Sequence, residues 1–184
     1  SYLLSFETSN GQLQTNGNLT LLSRASGTAS IGDLTGGGQY SGNSIDGQVT
    51  VERYIPNHPK SWQFLSVPTT GQTINQAWQE GNAPMANSQP GYGTIVTGNM
   101  PNALSLGFDI ATPVASGPGL KTFNSNTGLW EGVAGTHQPI LPNQGYMLFV
   151  RGDRSVTAFN HAATATILRN TGTLVANGTQ ALPV

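Results

Sequence analysis

Eight carboxylates are all that this 184-residue chain can bring to acid–base chemistry: Glu7, Asp33, Asp46, Glu52, Glu80, Asp109, Glu131 and Asp153. Glycoside hydrolysis needs two of them facing one bond, about 5 to 9.5 Å apart. The eight form no recognisable acidic motif, and Glu52 stands mid-strand beside Arg53, where an ion pair on a β face accounts for it. The three histidines, His58, His137 and His161, lie in loop-like contexts with no HExxH or HxH spacing, and no G-x-S-x-G offers an activated serine. Cysteine is absent, which removes disulfides, zinc–thiolate sites and thiol nucleophiles together. These residues predict a protein that is not an enzyme and carries no cofactor. A weak structural calcium ion is the most they allow. A calcium cage takes roughly six to eight oxygens, several from carboxylates, whereas the 124–127 loop offers amides and hydroxyls, and Asp46 and Asp109 stand alone.

Two further groups of residues suggest binding. Arg151-Gly152-Asp153 spells an integrin-recognition triplet, but Gly and Asp are turn formers, and the reading taken is a turn solvated by Arg151, Asp153 and Arg154. The aromatics Trp62, Trp78, Trp130, Tyr92 and Tyr146 could stack on sugar rings. Alternation with Phe64 assigns Trp62 to a core, and the apolar face of a helix claims Trp78. Trp130, next to a polar loop, and Tyr92 remain the candidate glycan-stacking residues.

Apolar and polar residues alternate with a period of two along most of the chain, the mark of half-buried strands. Tyr2, Leu4 and Phe6 share one face of the first strand. A second runs over 18–23 after an Asn16-Gly17 turn of the kind hairpins favour, and a third over 29–34. Gly36-Gly37-Gly38 predicts a loop, and 48–55 is the clearest strand. Further strands are expected over 62–67, 93–97, 121–124, 130–133, 145–151 and 164–174, with a hairpin loop at 124–128. One helix is expected over 73–80, capped by Thr73 and docked through Ile74, Ala77 and Trp78. The stretch 99–119 reads as a long irregular connection. The expected core comprises Val49, Val51, Trp62, Phe64, Ile95, Phe123, Tyr146, Leu148 and Val150. The fold class is all-β: an antiparallel sandwich, or a barrel, with Greek-key-type connections and one short helix. Residues 1–41 form an N-terminal β segment, part of the same sheet or an assembly element, and 42–184 the main domain.

Composition narrows the setting. Only 8% of residues are charged, the net charge is −1, and the lysines are Lys60 and Lys121 alone. Five scattered arginines give no basic patch, which excludes a nucleic-acid partner. No segment reaches the roughly 18 to 20 apolar residues that span a bilayer, so no membrane insertion is expected. A surface built of Thr, Ser, Asn, Gln and Gly leaves strand edges without the lysines that usually keep them from pairing with other chains.

Seven pieces of the sequence carry a resemblance: VTVERYIP (49–56), SWQFLSVP (61–68), INQAWQEG (74–81), PGYGTIVTG (90–98), KTFNSNTGLW (121–130), GYMLFVRGDRSV (145–156) and ATILRNTG (165–172). In order and spacing they resemble a domain common in secreted, modular surface proteins of Bacteroidota-type bacteria, often exported by the type-nine secretion route and found near a C-terminal sorting domain. The resemblance implies an extracellular β-sandwich at the bacterial surface and no catalytic activity. Together with the composition, it predicts a structural module of a surface protein, adhesin or filament, with other copies or neighbouring domains as partners. Tyr2, Leu4 and Phe6, in a strand-like start, and the strand-like stretch 174–184 are the expected assembly segments. A carbohydrate-binding accessory module, with glycans as partners, is the alternative.

Overall fold

The two longest alternating stretches of the sequence become the centre of the molecule. In the computed structural model, which describes residues 2–34, 42–99, 101–110 and 117–175, β7 (Gln48–Ile55) and β13 (Thr166–Leu174) pair antiparallel from Thr166 opposite Ile55 to Thr173 opposite Gln48. Strand β3 (Leu19–Leu21) flanks β7 and β9 (Thr69–Thr70) flanks β13, giving the sheet order β3-β7-β13-β9. A second sheet, wholly antiparallel, has the order β11-β10-β12-β8: β8 (Ser61–Leu65), β10 (Leu120–Asn124), β11 (Leu129–Gly132) and β12 (Tyr146–Val150). The chain passes between these sheets repeatedly, β7 and β9 lying in one and β8 in the other.

One face of each sheet is removed from water. Ile55 and Leu168 from the first meet Leu120, Tyr146, Leu148 and Val150 from the second. Helix α1 (Ile74–Trp78) closes the cluster with Ile74, Ala77 and Trp78, the last edge-on to Tyr146 at 5.3 Å between ring centroids. So short a helix does not persist alone in water. It holds here because Thr73 and Gln76 form a reciprocal capping box and the apolar face is docked. Val96, Ala103, Phe108 and Ile140 fill the same core from the long connections. The architecture is all-β and sandwich-like, and among the described residues no sheet closes into a barrel. The expected strand at 93–97 is absent as a ladder: isolated bridges hold Tyr92 to Ile167 and Thr97 to Asp109 instead.

The first fifty-odd residues depart from the antiparallel expectation. Strands β1 (Tyr2–Leu4) and β2 (Gln12–Gln14) precede β3, and β4 (Ser23–Arg24), β5 (Gly27–Ile31) and β6 (Ser44–Asp46) follow it. Strand β1 lies parallel to β5, β2 parallel to β6, and β3 parallel to β7. The chain thus makes one circuit of three short strands and then a second circuit stacked on the first. Along the stack Leu4 sits beside Ile31, Leu13 beside Ile45, Leu19 beside Val49 and Leu21 beside Val51, and all eight belong to a second apolar cluster. The Asn16-Gly17 turn forms, with both residues at positive φ (49° and 76°) and Asn18 N–H donating to Thr15 C=O at 2.8 Å. The strands on either side of it do not pair with each other: β2 goes to β6 and β3 to β7. The turn rounds a corner of the coil instead of closing a hairpin. By contrast, the hairpin loop expected at 124–128 joins β10 to β11, with Asn124 Oδ1 accepting from the N–H groups of Asn126 and Thr127.

The expected boundary near residue 41, the Gly36–Gly38 loop, and the stretch beyond residue 175 lie outside the described residues.

Candidate functional site

The outer face of the second sheet gathers exposed aromatic side chains. In β12 the residues Tyr146, Leu148 and Val150 point into the core, so Met147 and Phe149 point out. The register of β12 with β8 puts Met147 opposite Phe64 and Phe149 opposite Trp62. Strand β10 pairs Phe123 with Trp130 of β11 and Lys121 with Met147. Side chains alternate across a strand, and every apolar member of these pairs therefore lies on one outward face. Phe64 is 72% exposed, Phe123 49% and Trp62 39%. Trp130 is half-buried between Phe64 and Phe123, at 5.6 and 5.5 Å between ring centroids. Trp62 and Phe149 meet edge-on at 5.3 Å, and Lys121 Nζ lies 5.3 Å from the centre of the Trp62 ring.

This corrects the core assignment of Trp62, Phe64 and Phe123. Val49, Ile95, Tyr146, Leu148 and Val150 are buried as expected, and Val51 is partly buried against the coil cluster. In β8 it is Ser61, Gln63 and Leu65 that share the inward side, opposite Val150, Leu148 and Tyr146. Strand β8 is an edge strand, so its inward residues reach only the margin of the core and can be polar.

Tyr92 and Trp130 are not brought together. Tyr92 bridges to Ile167 of β13, on the first sheet, and its ring is covered by the Arg169 guanidinium at 4.4 Å. Arg169 in turn pairs with Glu80 at 2.6 Å. Burial pushes the Glu80 carboxyl up, against the opposing pull of Arg169. Beside them Thr50, Gln72, Gln76 and Thr171 complete the lining of a polar cavity of about 260 Å³. Glu52 pairs with Arg24, not with its neighbour Arg53, and also accepts from Ser23 N–H.

The Arg151-Gly152-Asp153 triplet is a turn, but an internal one. Gly152 has φ of 125°, a conformation that favours glycine, and a side chain there would run into Thr164. Arg151 and Asp153 are buried, and Arg154 is fully buried, so none of them solvates the turn and the triplet offers no ready integrin contact. Burial works against the charged form of Asp153. Donors from Ser155, Gly91 and Thr164 outweigh it and hold the carboxyl below its ordinary range. The Arg151 guanidinium lies over the Phe149 ring, and burial lowers its pKa.

Arg154 and Asp109 form a fully buried ion pair, where the sequence suggested an isolated acid and a solvated turn residue. Asp109 Oδ1 accepts from Arg154 Nη2 and Met85 N–H, and Oδ2 from Arg154 Nη1, Gln79 Nε2 and Val96 N–H. The remaining Arg154 donors go to the carbonyls of Ala83, Ala86 and Thr94. Every guanidinium N–H and both carboxylate oxygens are used. That is the condition under which a buried ion pair is tolerated, and it ties the irregular connection to the turn after β12.

Among the described residues no three His, Asp or Glu side chains converge in a group that could hold a metal ion. At the hairpin loop Glu131 accepts from Asn124 Nδ2 and Thr127 Oγ1, and those bonds lower its pKa. The loop's donors are thus turned on a carboxylate. Among the described residues no helix is long and apolar enough to cross a membrane. Comparison with family models, curated proteins and solved structures finds no match to this chain.

Proposed function

We propose that this chain is a non-enzymatic structural module of a bacterial extracellular surface protein, adhesin or filament, and that it docks against a neighbouring protein domain through the outer face of the β11-β10-β12-β8 sheet. The observation that carries this reading is the contiguous exposure of Trp62, Phe64 and Phe123 around the half-buried Trp130 and Phe149. Contiguous apolar patches of this kind mark interaction sites on soluble proteins, and Trp, Phe, Met and Arg are the residues that protein interfaces concentrate. Lys121 and the Arg151 guanidinium over Phe149 are the cations beside these rings, which fits a partner surface that is apolar with an acidic margin.

The tilted packing of the rings favours a protein partner over a sugar. Neighbouring rings meet at 54° to 65°, so they present a corrugated surface suited to interdigitating side chains. A carbohydrate-binding accessory module is the second reading, and the partial exposure of Trp130 beside two other rings is what favours it. A glycan array separates the two. Reproducible glycan binding that disappears in Trp130→Ala would replace the first reading with the second. A photo-crosslinker placed at Phe64 that joins the chain, at the native cell surface, to an adjoining domain or another copy supports docking to protein.

A further inference from the structure

Arg151 brings a charge to the outer face of the second sheet and meets nothing there that neutralises it. Resting on the docking reading above, we infer that Arg151 anchors a carboxylate, an aspartate or glutamate side chain, of the domain that docks on that face.

Arg151 follows Val150, the last paired residue of β12, and by alternation it lies on the same side as Met147 and Phe149. It is 3% exposed, and its Nε and Nη1 are closed off from water and bonded to nothing. A buried cation without a partner is costly to keep, and buried polar groups left unbonded are few in native proteins. What Arg151 does have is the Phe149 ring, whose centre lies 5.0 Å from the guanidinium carbon. An aromatic face offsets only part of the lost hydration.

Among the described residues no carboxylate pairs with it. Glu52, Glu80 and Asp109 are each held by another arginine. Asp153 is turned to Ser155, Thr164 and Gly91, and Glu131 to Asn124 and Thr127. Asp109 is near enough for its charge to act on Arg151, but its oxygens are committed to Arg154, Gln79, Met85 and Val96. The other acids, Glu7, Asp33 and Asp46, belong to the first 46 residues of the chain.

The surroundings favour an acid from outside. Lys60 precedes Ser61, the residue opposite Val150, and burial together with the neighbouring Arg151 charge lowers its pKa. Its Nζ donates to the carbonyls of Ala158 and Phe159, not to an acid. Lys121 lies at the Trp62 ring, which meets Phe149 edge-on. Three cations thus border one group of rings. With Nε and Nη1 enclosed, the approach left to a partner is through Nη2. Once the rings are covered, water is excluded around the pair, and a charge pair in such a place is stronger than an exposed one. The Arg151-Gly152-Asp153 triplet is thereby divided, Asp153 serving the turn and Arg151 the face.

Arg151→Met separates an anchor from a structural residue. Methionine keeps an unbranched stem over Phe149 and deletes the charge, so the variant should melt at or above the temperature of the parent chain. Sodium acetate, titrated at constant ionic strength, should shift the Arg151 side-chain Nε–H resonance saturably, and acetamide should leave it in place. At the native cell surface the yield of the Phe64 crosslink should fall at least tenfold in Arg151→Met. A variant that melts below the parent makes Arg151 a structural residue and overturns the inference. So does a resonance indifferent to acetate. A crosslink undiminished in the variant also overturns it, and leaves the docking reading standing without this anchor. No crosslink from the parent chain would remove the docking reading itself, and the anchor with it.

Discussion

The coil and the sandwich solve the same problem of burying apolar side chains in opposite ways. In the coil, Leu13 lies on Ile45 and Leu21 on Val51, like upon like, so the cluster is built largely by laying one circuit on the other, with Leu174 of β13 packed against it. In the sandwich, residues from both sheets, the helix and the long connections converge on one cluster. A convergent core is finished once its elements have met. A stack is finished only where something caps it. The sandwich accordingly seals its irregular connection with the Arg154–Asp109 pair, all donors and acceptors satisfied, while among the described residues β1, β2 and β3 of the coil each have a single strand neighbour.

The difference is sharpened first by breaking the seal. Asp109→Ala leaves Arg154 charged, unpaired and fully buried, and should destabilise by about 3 to 5 kcal/mol in chemical denaturation. Replacing both partners, with Arg154→Met added, should recover part of that loss because no buried charge is left without a partner. If Asp109→Ala unfolds like the parent protein, the pair is not what fixes the connection. Trp78→Ala should cost a comparable amount, about 3 to 5 kcal/mol, since Trp78 is 2% exposed and lies against Tyr146.

A coil substitution should cost less. Leu21→Ala removes a side chain that is 8% exposed at the edge of a stack, where neighbours on one side only can be lost. About 2 kcal/mol, the lower end for buried leucine, is expected by the same measurement, and a loss above that of Trp78→Ala would mean that the coil, not the sandwich, is the keystone.

Acid should act on the sandwich through Asp153. Its folded pKa is depressed below the usual aspartate value, so its contribution is full above that value and is lost as pH falls through the folded pKa. Asp153→Asn should therefore flatten the decline in stability below about pH 4, read from melting curves across an acid series. Smallest of all should be Phe64→Ser: at 72% exposure the change is expected to fall within about 0.5 kcal/mol, whereas a residue packed in the core would cost several times more.

What could be read from the sequence followed the strength of periodicity. The 48–55 strand, the capped helix with Ile74, Ala77 and Trp78, and the 124–128 hairpin were each dictated by local pattern, and each is present. Alternation says that a strand has two faces but does not say which face is inside. In β8 the bulky residues Trp62 and Phe64 suggested the buried side, and the register with β12 reverses it. In β12 both faces are apolar, so Phe149 and Met147 gave no signal. The coil was hidden for another reason. Leu13, Leu19 and Leu21 correspond to Ile45, Val49 and Val51, but the two circuits differ in spacing, and Asn16-Gly17 mimics a hairpin turn. Asp109 and Arg154 stand 45 residues apart and belong to no motif, so only the folded chain could join them.

The contrast between a convergent sandwich and a stacked coil is tested most directly by amide hydrogen exchange followed by mass spectrometry. The account predicts that the peptides covering β1, β2 and β3, each with one strand neighbour among the described residues, exchange much faster than those covering β7 and β13, which lie inside their sheet. Exchange of β1–β3 as slow as that of β7 and β13 would contradict it.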